Sequence, residues 1–210
     1  MIMEATLQEI LDARETRAQR QKALLTHYQK PLICFTMNIP GPVKLDRDIS
    51  VGFFVGTQLL EKVLPESSVL FRQTQYKNTG CEGYYIVDMP AKALKQLAIC
   101  VEDTDPIGRL FDIDVLNTDG RKITREELGF GRRKCLVCDQ DAVICASRRA
   151  HGLDRLLAQT RHLLELCAEQ WLPEWIAQQA WLALHQELTP TTKPGLVDRN
   201  NTGAHKDMGL

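Results

Sequence analysis

Apolar residues over the first 28 positions recur with a helical period. Leu7, Ile10, Leu11, Ala18, Leu24, Leu25 and Tyr28 fall on one stripe, which predicts a helix over 4–28. Within it, Asp12 to Arg20 is densely charged. That run reads as a solvated face with i,i+4 pairing or as a surface for a partner. Leu32 to Ile39 is almost continuously apolar over strand length, as a central buried strand would be, and Pro40-Gly41-Pro42 stops it. Asp46 or Asp48 can cap a helix over about 48–64, whose buried side is Ile49, Phe53, Leu59, Leu60 and Val63. Strands follow at Val69–Tyr76 and Tyr84–Val87, with hairpin chemistry in Lys77 to Gly83 between them. Pro90 opens a helix through Ala98, which Asp103, Asp105 and Pro106 break. Gly108 to Leu116 is a strand, and Asn117-Thr118-Asp119-Gly120 turns it back through Lys122-Ile123-Thr124. The order is strand, helix, strand, strand, helix, strand, with one more hairpin strand. It predicts an α+β fold of the split β-α-β kind: a mostly antiparallel sheet with helices on one face, followed by a helical C-terminal extension.

Composition narrows the class. Of the 210 residues, 44% are hydrophobic and 25% charged, which suits a globular core. The net charge of −1 supplies no basic field for nucleic acid or an anionic membrane. No apolar run reaches a membrane span, and Met1-Ile2-Met3-Glu4 lacks the basic start and apolar block of a secretory signal. A cytoplasmic location is expected. The seven cysteines are then core residues, metal ligands or reactive thiols before they are disulfides. Cys34 reads as a core residue, and Cys81, in its loop, as one open to solvent.

Candidate chemistry centres on Gly108-Arg109-Leu110-Phe111-Asp112-Ile113-Asp114-Val115-Leu116. Strand alternation puts Asp112 and Asp114 on one face, one pleat repeat apart. Two such carboxylates can hold a hard cation such as magnesium, which completes its shell with water and substrate phosphates. On spacing alone a solvated strand face is the better fit. Arg109 lies three residues upstream of Asp112 and can meet phosphates. Lys44, after the Pro40-Gly41-Pro42 turn, can point at a ligand phosphate or simply at solvent.

A second cluster is Cys135-x2-Cys138-x6-Cys145-x5-His151, flanked by Arg132-Arg133-Lys134 and Arg148-Arg149. Three thiolates and an imidazole suit a structural zinc. Residues 141–170, however, also read as one amphipathic helix. An unbroken helix would set Cys145 and His151 about 240° apart around its axis and ~9 Å apart along it, too far to share an ion. That favours buried thiols beside a substrate-facing His151, which could act as a general base, a phosphate contact or a structural residue. Zinc requires the helix to begin near Gly152.

Three blocks occur in order: Pro31-Leu32-Ile33-Cys34-Phe35-Thr36 with Pro40-Gly41-Pro42-Val43-Lys44, then Pro106 to Leu116, then Arg133 to Cys138 through Cys145 to His151. Together, over about 5–170, they resemble the holo-citrate lyase synthase family, the apo-citrate lyase phosphoribosyl-dephospho-CoA transferases. The resemblance implies transfer from 2′-(5″-triphosphoribosyl)-3′-dephospho-CoA to a serine of the citrate lyase acyl-carrier (gamma) subunit, with release of diphosphate. It implies magnesium on Asp112 and Asp114, with Arg109, Lys44 and Arg133 on phosphate oxygens. No nucleophile is then needed from this chain. Asp105 stands where a histidine is expected before the Pro-x-Gly-Arg turn, which weakens a catalytic role there.

Residues 171–210 differ in character and divide the chain into a transferase domain (1–170) and an appendage (171–210). Trp171, Trp175, Ile176, Trp181, Leu182 and Leu184 form a helical stripe, interrupted at Pro173. The segment from Thr189 to Met208 is Pro-, Gly- and Asn-rich. It resembles the opening of triphosphoribosyl-dephospho-CoA synthase, so a truncated fusion without synthase activity is expected. Lys193, Asp198, Asn200 and His205 would be ligand residues in an intact second enzyme and are expected to be poorly ordered here. Three other readings stay open: the same chemistry on the malonate decarboxylase carrier, a non-catalytic zinc-containing binding module, and a scaffold for carrier and synthase. No nucleic-acid or membrane partner is expected.

Overall fold

The computed structural model describes residues 3–188, with side chains through Gln179. Helix α1 (Leu7–Tyr28) begins at a reciprocal cap. Glu9 N–H donates to the Thr6 hydroxyl, and Thr6 N–H donates to the Glu9 carboxylate. Then follow β1 (Leu32–Met37), α2 (Arg47–Val63, capped by Asp46), β2 (Val69–Lys77), β3 (Gly80–Val87), α3 (Ala91–Thr104) and β4 (Phe111–Leu116). The sheet order is β2-β3-β1-β4, and every pairing is antiparallel. This is the expected α+β fold with split β-α-β connectivity. Two details differ from expectation. β3 starts at Gly80, so a two-residue Asn78-Thr79 turn replaces the longer loop, and Cys81 is buried in the core with its thiol pushed up to about 12 by burial. The return after β4 makes only the bridge between Leu116 and Lys122, not a further strand.

The two sheet faces divide by alternation. Ile33, Phe35, Tyr85, Phe111, Ile113 and Val115 point into the main core beneath α2 and α3, where Phe35 stacks on Phe53 at 4.8 Å between ring centres. Leu32, Cys34, Tyr84, Ile86 and Leu116 point the other way, onto Leu24 and Leu25 of α1. The face expected to be free of helices therefore carries α1 over its apolar end.

Gly108 occupies a place a side chain cannot. A Cβ there would lie 2.4 Å from the Glu102 carbonyl oxygen. Because that atom is backbone, relief requires moving α3 or the turn that feeds β4. Gly108→Ala is expected to cost about 1–3 kcal/mol. Urea unfolding checks this: the midpoint should fall with an unchanged m-value.

Helix α4 (Ala142–Arg148) ends at Arg149, which is left-handed with φ 47°, and α5 (Leu153–Leu188) begins after Gly152. The single helix expected over 141–170 is thus two. Pro173 lies inside α5 and does not end it. Contacts divide the chain into a unit ending at Trp175 and another beginning at Ile176, of which the last turns of α5 are described. Lys193, Asp198, Asn200 and His205 lie outside the described residues. No described helix is long and apolar enough to cross a membrane.

Candidate active site on the α1-facing side of the sheet

Register places the acidic pair. Asp112 pairs across to Thr36, which pairs to Glu82, which pairs to Gln75. One step along, Asp114, Cys34, Tyr84 and Gln73 form the next row, and Leu116, Leu32, Ile86 and Phe71 the last. Side chains two apart share a face. The α1-facing surface therefore grades from an apolar row, sealed by Leu24, Leu25 and Tyr28, to a charged row at the opposite end.

Cations meet that charged end. The Arg17 guanidinium of α1 donates to Glu82 at 3.0 Å, Lys77 donates to the same carboxylate at 3.1 Å, and the Tyr84 hydroxyl donates to it at 2.8 Å. Burial pushes the Glu82 carboxyl up, but Tyr84, Arg17 and Lys77 together outweigh it and hold Glu82 below the usual range. Arg20 donates to Gln73 at 2.9 Å. The charged run of α1 is thus partly spent on the sheet rather than wholly solvated. Lys122 pairs with Asp114.

Asp112 is open to solvent at its rim. The protein around it desolvates its carboxyl, and the like charge of Asp114 adds to this, so its pKa is raised despite Arg133, Lys122 and Lys95. The sign follows. The carboxylate form of Asp112 is lost at a higher pH than usual as the solution is acidified. Over the window from the usual aspartate value up to its raised folded value, rising pH costs stability. Asp114→Asn removes the like charge, so the Asp112 titration is expected to move to lower pH, with desolvation still holding it above the usual value. Carboxyl-carbon NMR of the variant checks this; an unmoved titration would contradict it.

Two clefts are lined by other residues. One lies between α1 and the turn after β4, against Gln21, Leu25, Leu116 and Asp119. The other is bounded by Glu102, Asp105, Arg109, Leu136 and Leu163. Neither is lined by Asp112 or Asp114. Asp112 is exposed and Asp114 half-buried, so the acidic face is reachable from solvent.

The other sequence candidates are placed differently. Arg109 donates to the Cys135 carbonyl at 2.5 Å and to the Lys134 carbonyl at 3.4 Å. Arg133 donates to the Phe111 carbonyl at 2.6 Å, and to those of Gly108 and Arg109 at 3.1 and 3.2 Å. The two thus tie the segments to each other: Arg133 clamps backbone at the start of β4, within a few residues of Asp112, and Arg109, from the turn ahead of β4, clamps backbone at Lys134 and Cys135. Lys44, half-buried, donates to the Ile39 carbonyl, and burial, then Arg14, lowers its pKa. His151 turns into the cysteine cluster, its Nε2 3.3 Å from Cys138 Sγ. Asp105 accepts from Ile107 N–H at 3.0 Å and caps the turn.

Sequence reasoning passed over the groups that hold the edge of β4. With β1 on one side, Ile113 turns its peptide groups outward. Its N–H donates to Glu102 at 3.0 Å and its carbonyl accepts from Lys95 at 2.7 Å. Arg125 donates to Glu102 at 2.9 Å, and Arg133 lies 3.9 Å from it. Lys95 and Glu102 are buried, at 6% and 3% exposure. Burial pushes the Glu102 carboxyl up, and the opposing pull of Arg133, Lys95, the Ile113 N–H and Arg125 does not cancel it. The signal was present: two charges seven residues apart on the apolar side of α3, with Leu94, Ala98 and Val101.

Residues 5–166 match the model of a family described as apo-citrate lyase phosphoribosyl-dephospho-CoA transferase. The chain is 36% identical to "Protein CitXG" of Haemophilus influenzae, over 98% of this chain and 44% of that one. It is 31% identical to "Protein CitXG" of Leuconostoc mesenteroides subsp. cremoris, over 96% and 45%. It is also 32% identical to a "Probable apo-citrate lyase phosphoribosyl-dephospho-CoA transferase" of Vibrio cholerae serotype O1, over 77% of this chain and 92% of that one. The chain thus spans less than half the length of the first two relatives and most of the third.

Proposed function

Because the chain belongs to the apo-citrate lyase phosphoribosyl-dephospho-CoA transferase family, we propose that it attaches the phosphoribosyl-dephospho-CoA prosthetic group to the acyl-carrier subunit of citrate lyase. The donor is 2′-(5″-triphosphoribosyl)-3′-dephospho-CoA. A carrier serine oxygen bonds to the phosphorus nearest the ribose, the bond from that phosphorus to the diphosphate breaks, and the serine proton leaves with the diphosphate. The observation that carries the reading is the accessible Asp112–Asp114 pair, one residue past a doubly clamped turn. An acidic pair that is exposed at Asp112 and half-buried at Asp114 can serve a serine that arrives on another protein, and this chain needs no nucleophile of its own.

The donor set of two carboxylates on one strand face, one with its pKa raised first by desolvation and then by the other's like charge, fits a divalent cation. Asp112 and Asp114 would hold magnesium, which when bound supplies charge neutralisation on the triphosphate. The chain's own residues do the rest. Lys95 and Glu102 fix the peptide between the two aspartates. Arg109 and Arg133 hold the turn that leads to them. Lys122, 60% exposed and now paired with Asp114, is free to exchange that partner for a phosphate oxygen. Lys122→Ala is expected to raise KM for the triphosphoribosyl donor about tenfold with a smaller change in kcat, as loss of a ground-state phosphate contact would. Steady-state kinetics with the donor varied checks it.

The test of the reading is transfer to purified carriers side by side. Modification of the citrate lyase carrier is expected. Modification of the malonate decarboxylase carrier alone would keep the chemistry and move the partner.

A further inference from the structure

We propose that Cys135, Cys138, Cys145 and His151 form a closed, structural zinc site that pins the start of β4. The inference goes beyond the transferase reading, since it concerns a second metal site and needs no substrate.

The four ligand atoms lie within 4.8 Å of one another. Cys138 Sγ is 3.6 Å from Cys145 Sγ and 3.3 Å from His151 Nε2. A tetrahedral ion with Zn–S of about 2.3 Å and Zn–N of about 2.0–2.1 Å requires separations of about 3.8 Å between sulfurs and about 3.6 Å from sulfur to nitrogen. The two spacings from Cys138 are close to those values, and the whole set lies within 4.8 Å.

The backbone is built for the purpose. The Cys135 N–H donates to the Gln140 carbonyl at 2.7 Å and the Ala142 N–H to that of Arg133 at 2.8 Å, which folds the chain from Arg133 to Ala142 into a tight hairpin. Within it the Val137 N–H donates to Cys135 Sγ at 3.4 Å. Amide donors to a sulfur stabilise its thiolate, as groups hydrogen-bonded to the ligands of a metal site do. Arg149, in a left-handed conformation, ends α4 before His151, and α5 starts only at Leu153. That break brings His151 back to Cys145, as one continuous helix could not.

Three thiolates and an imidazole select zinc over oxygen-loving cations, and four protein ligands leave no open position for catalysis. The site's effect is mechanical. The hairpin that carries its first two ligands also carries the Cys135 and Lys134 carbonyls that Arg109 holds, and Arg133, which holds the Phe111, Gly108 and Arg109 carbonyls. Zinc thus fixes both arginines, and through them the turn ahead of Asp112.

The test is metal content of the full chain purified without chelator, beside Cys138→Ala and Asp112→Asn. One zinc per chain is expected in the wild type and in Asp112→Asn, with near-complete loss in Cys138→Ala. Stripping the wild type with a strong chelator should lower Tm by about 10 °C or more, and added zinc should restore it. Refilling with cobalt should give the intense visible bands of a tetrahedral thiolate site, which keeps the proposal testable should Cys138→Ala fail to fold. Folded wild type that holds no zinc after incubation with it, or Cys138→Ala that retains a full equivalent, would overturn the proposal. Because no substrate enters, a failure here leaves the transferase reading untouched, and loss of transfer by a zinc-loaded chain leaves the zinc site standing.

Discussion

Asp112→Asn and Asp114→Asn are each expected to lower the rate of prosthetic-group transfer by about 100-fold or more, with little change in fold. The size follows from the chemistry. A triphosphate reacting at phosphorus spreads charge over its oxygens, and groups that organise compensation for that charge contribute most to the rate. Replacing either carboxylate by an amide halves the negative charge that can hold a cation between them. The fold should survive because neither carboxylate supports the core. Asp112 faces solvent, and Asp114 is paired only with the exposed Lys122, an interaction worth about 0–1 kcal/mol. The decisive comparison is transfer rate against urea midpoint for each variant. A full-rate variant would remove the pair from the chemistry, and a collapse in stability equal to the loss of rate would make its role structural.

The largest effect on stability is expected at Glu102. Glu102→Ala removes the acceptor for the Ile113 N–H and the carboxylate beside Arg133, leaves Arg125 with Asp103 alone, and leaves the buried Lys95 ammonium with only the Ile113 carbonyl. Breaking a buried ionic network from one side costs about 3–5 kcal/mol, because the remaining charges stay desolvated and unmatched. Glu102→Gln keeps an acceptor for the Ile113 N–H and should recover part of that loss. Denaturant unfolding of both variants gives the answer. A cost below about 1 kcal/mol for alanine would mean that the edge of β4 holds itself.

Much of this organisation is legible in the chain because its periods are clean. The alternation Phe111-Asp112-Ile113-Asp114-Val115 gives both the core face and the acidic face of β4 without any tertiary information, and β1, α2 and α3 announce themselves by unbroken apolar patterning. Three things were less legible, for physical reasons. The break at Arg149 is a backbone event at a residue with no special turn chemistry, while the apolar period continues from α4 into α5 and disguises it. The fate of Arg109 and Arg133 was hidden because an arginine serves a carbonyl as readily as a phosphate, and only the fold shows which is in reach. The placement of α1 on the sheet's second face follows from Leu24 and Leu25 meeting Leu32 and Ile86, a contact between segments that sequence order alone does not pair.

The most direct measurement is the mass of purified apo-carrier subunit after incubation with this chain, magnesium and the triphosphoribosyl donor. A gain of one phosphoribosyl-dephospho-CoA group on the carrier, with diphosphate formed in equal amount, is the expected result. An unchanged carrier mass with well-folded protein and intact donor would contradict the transferase function.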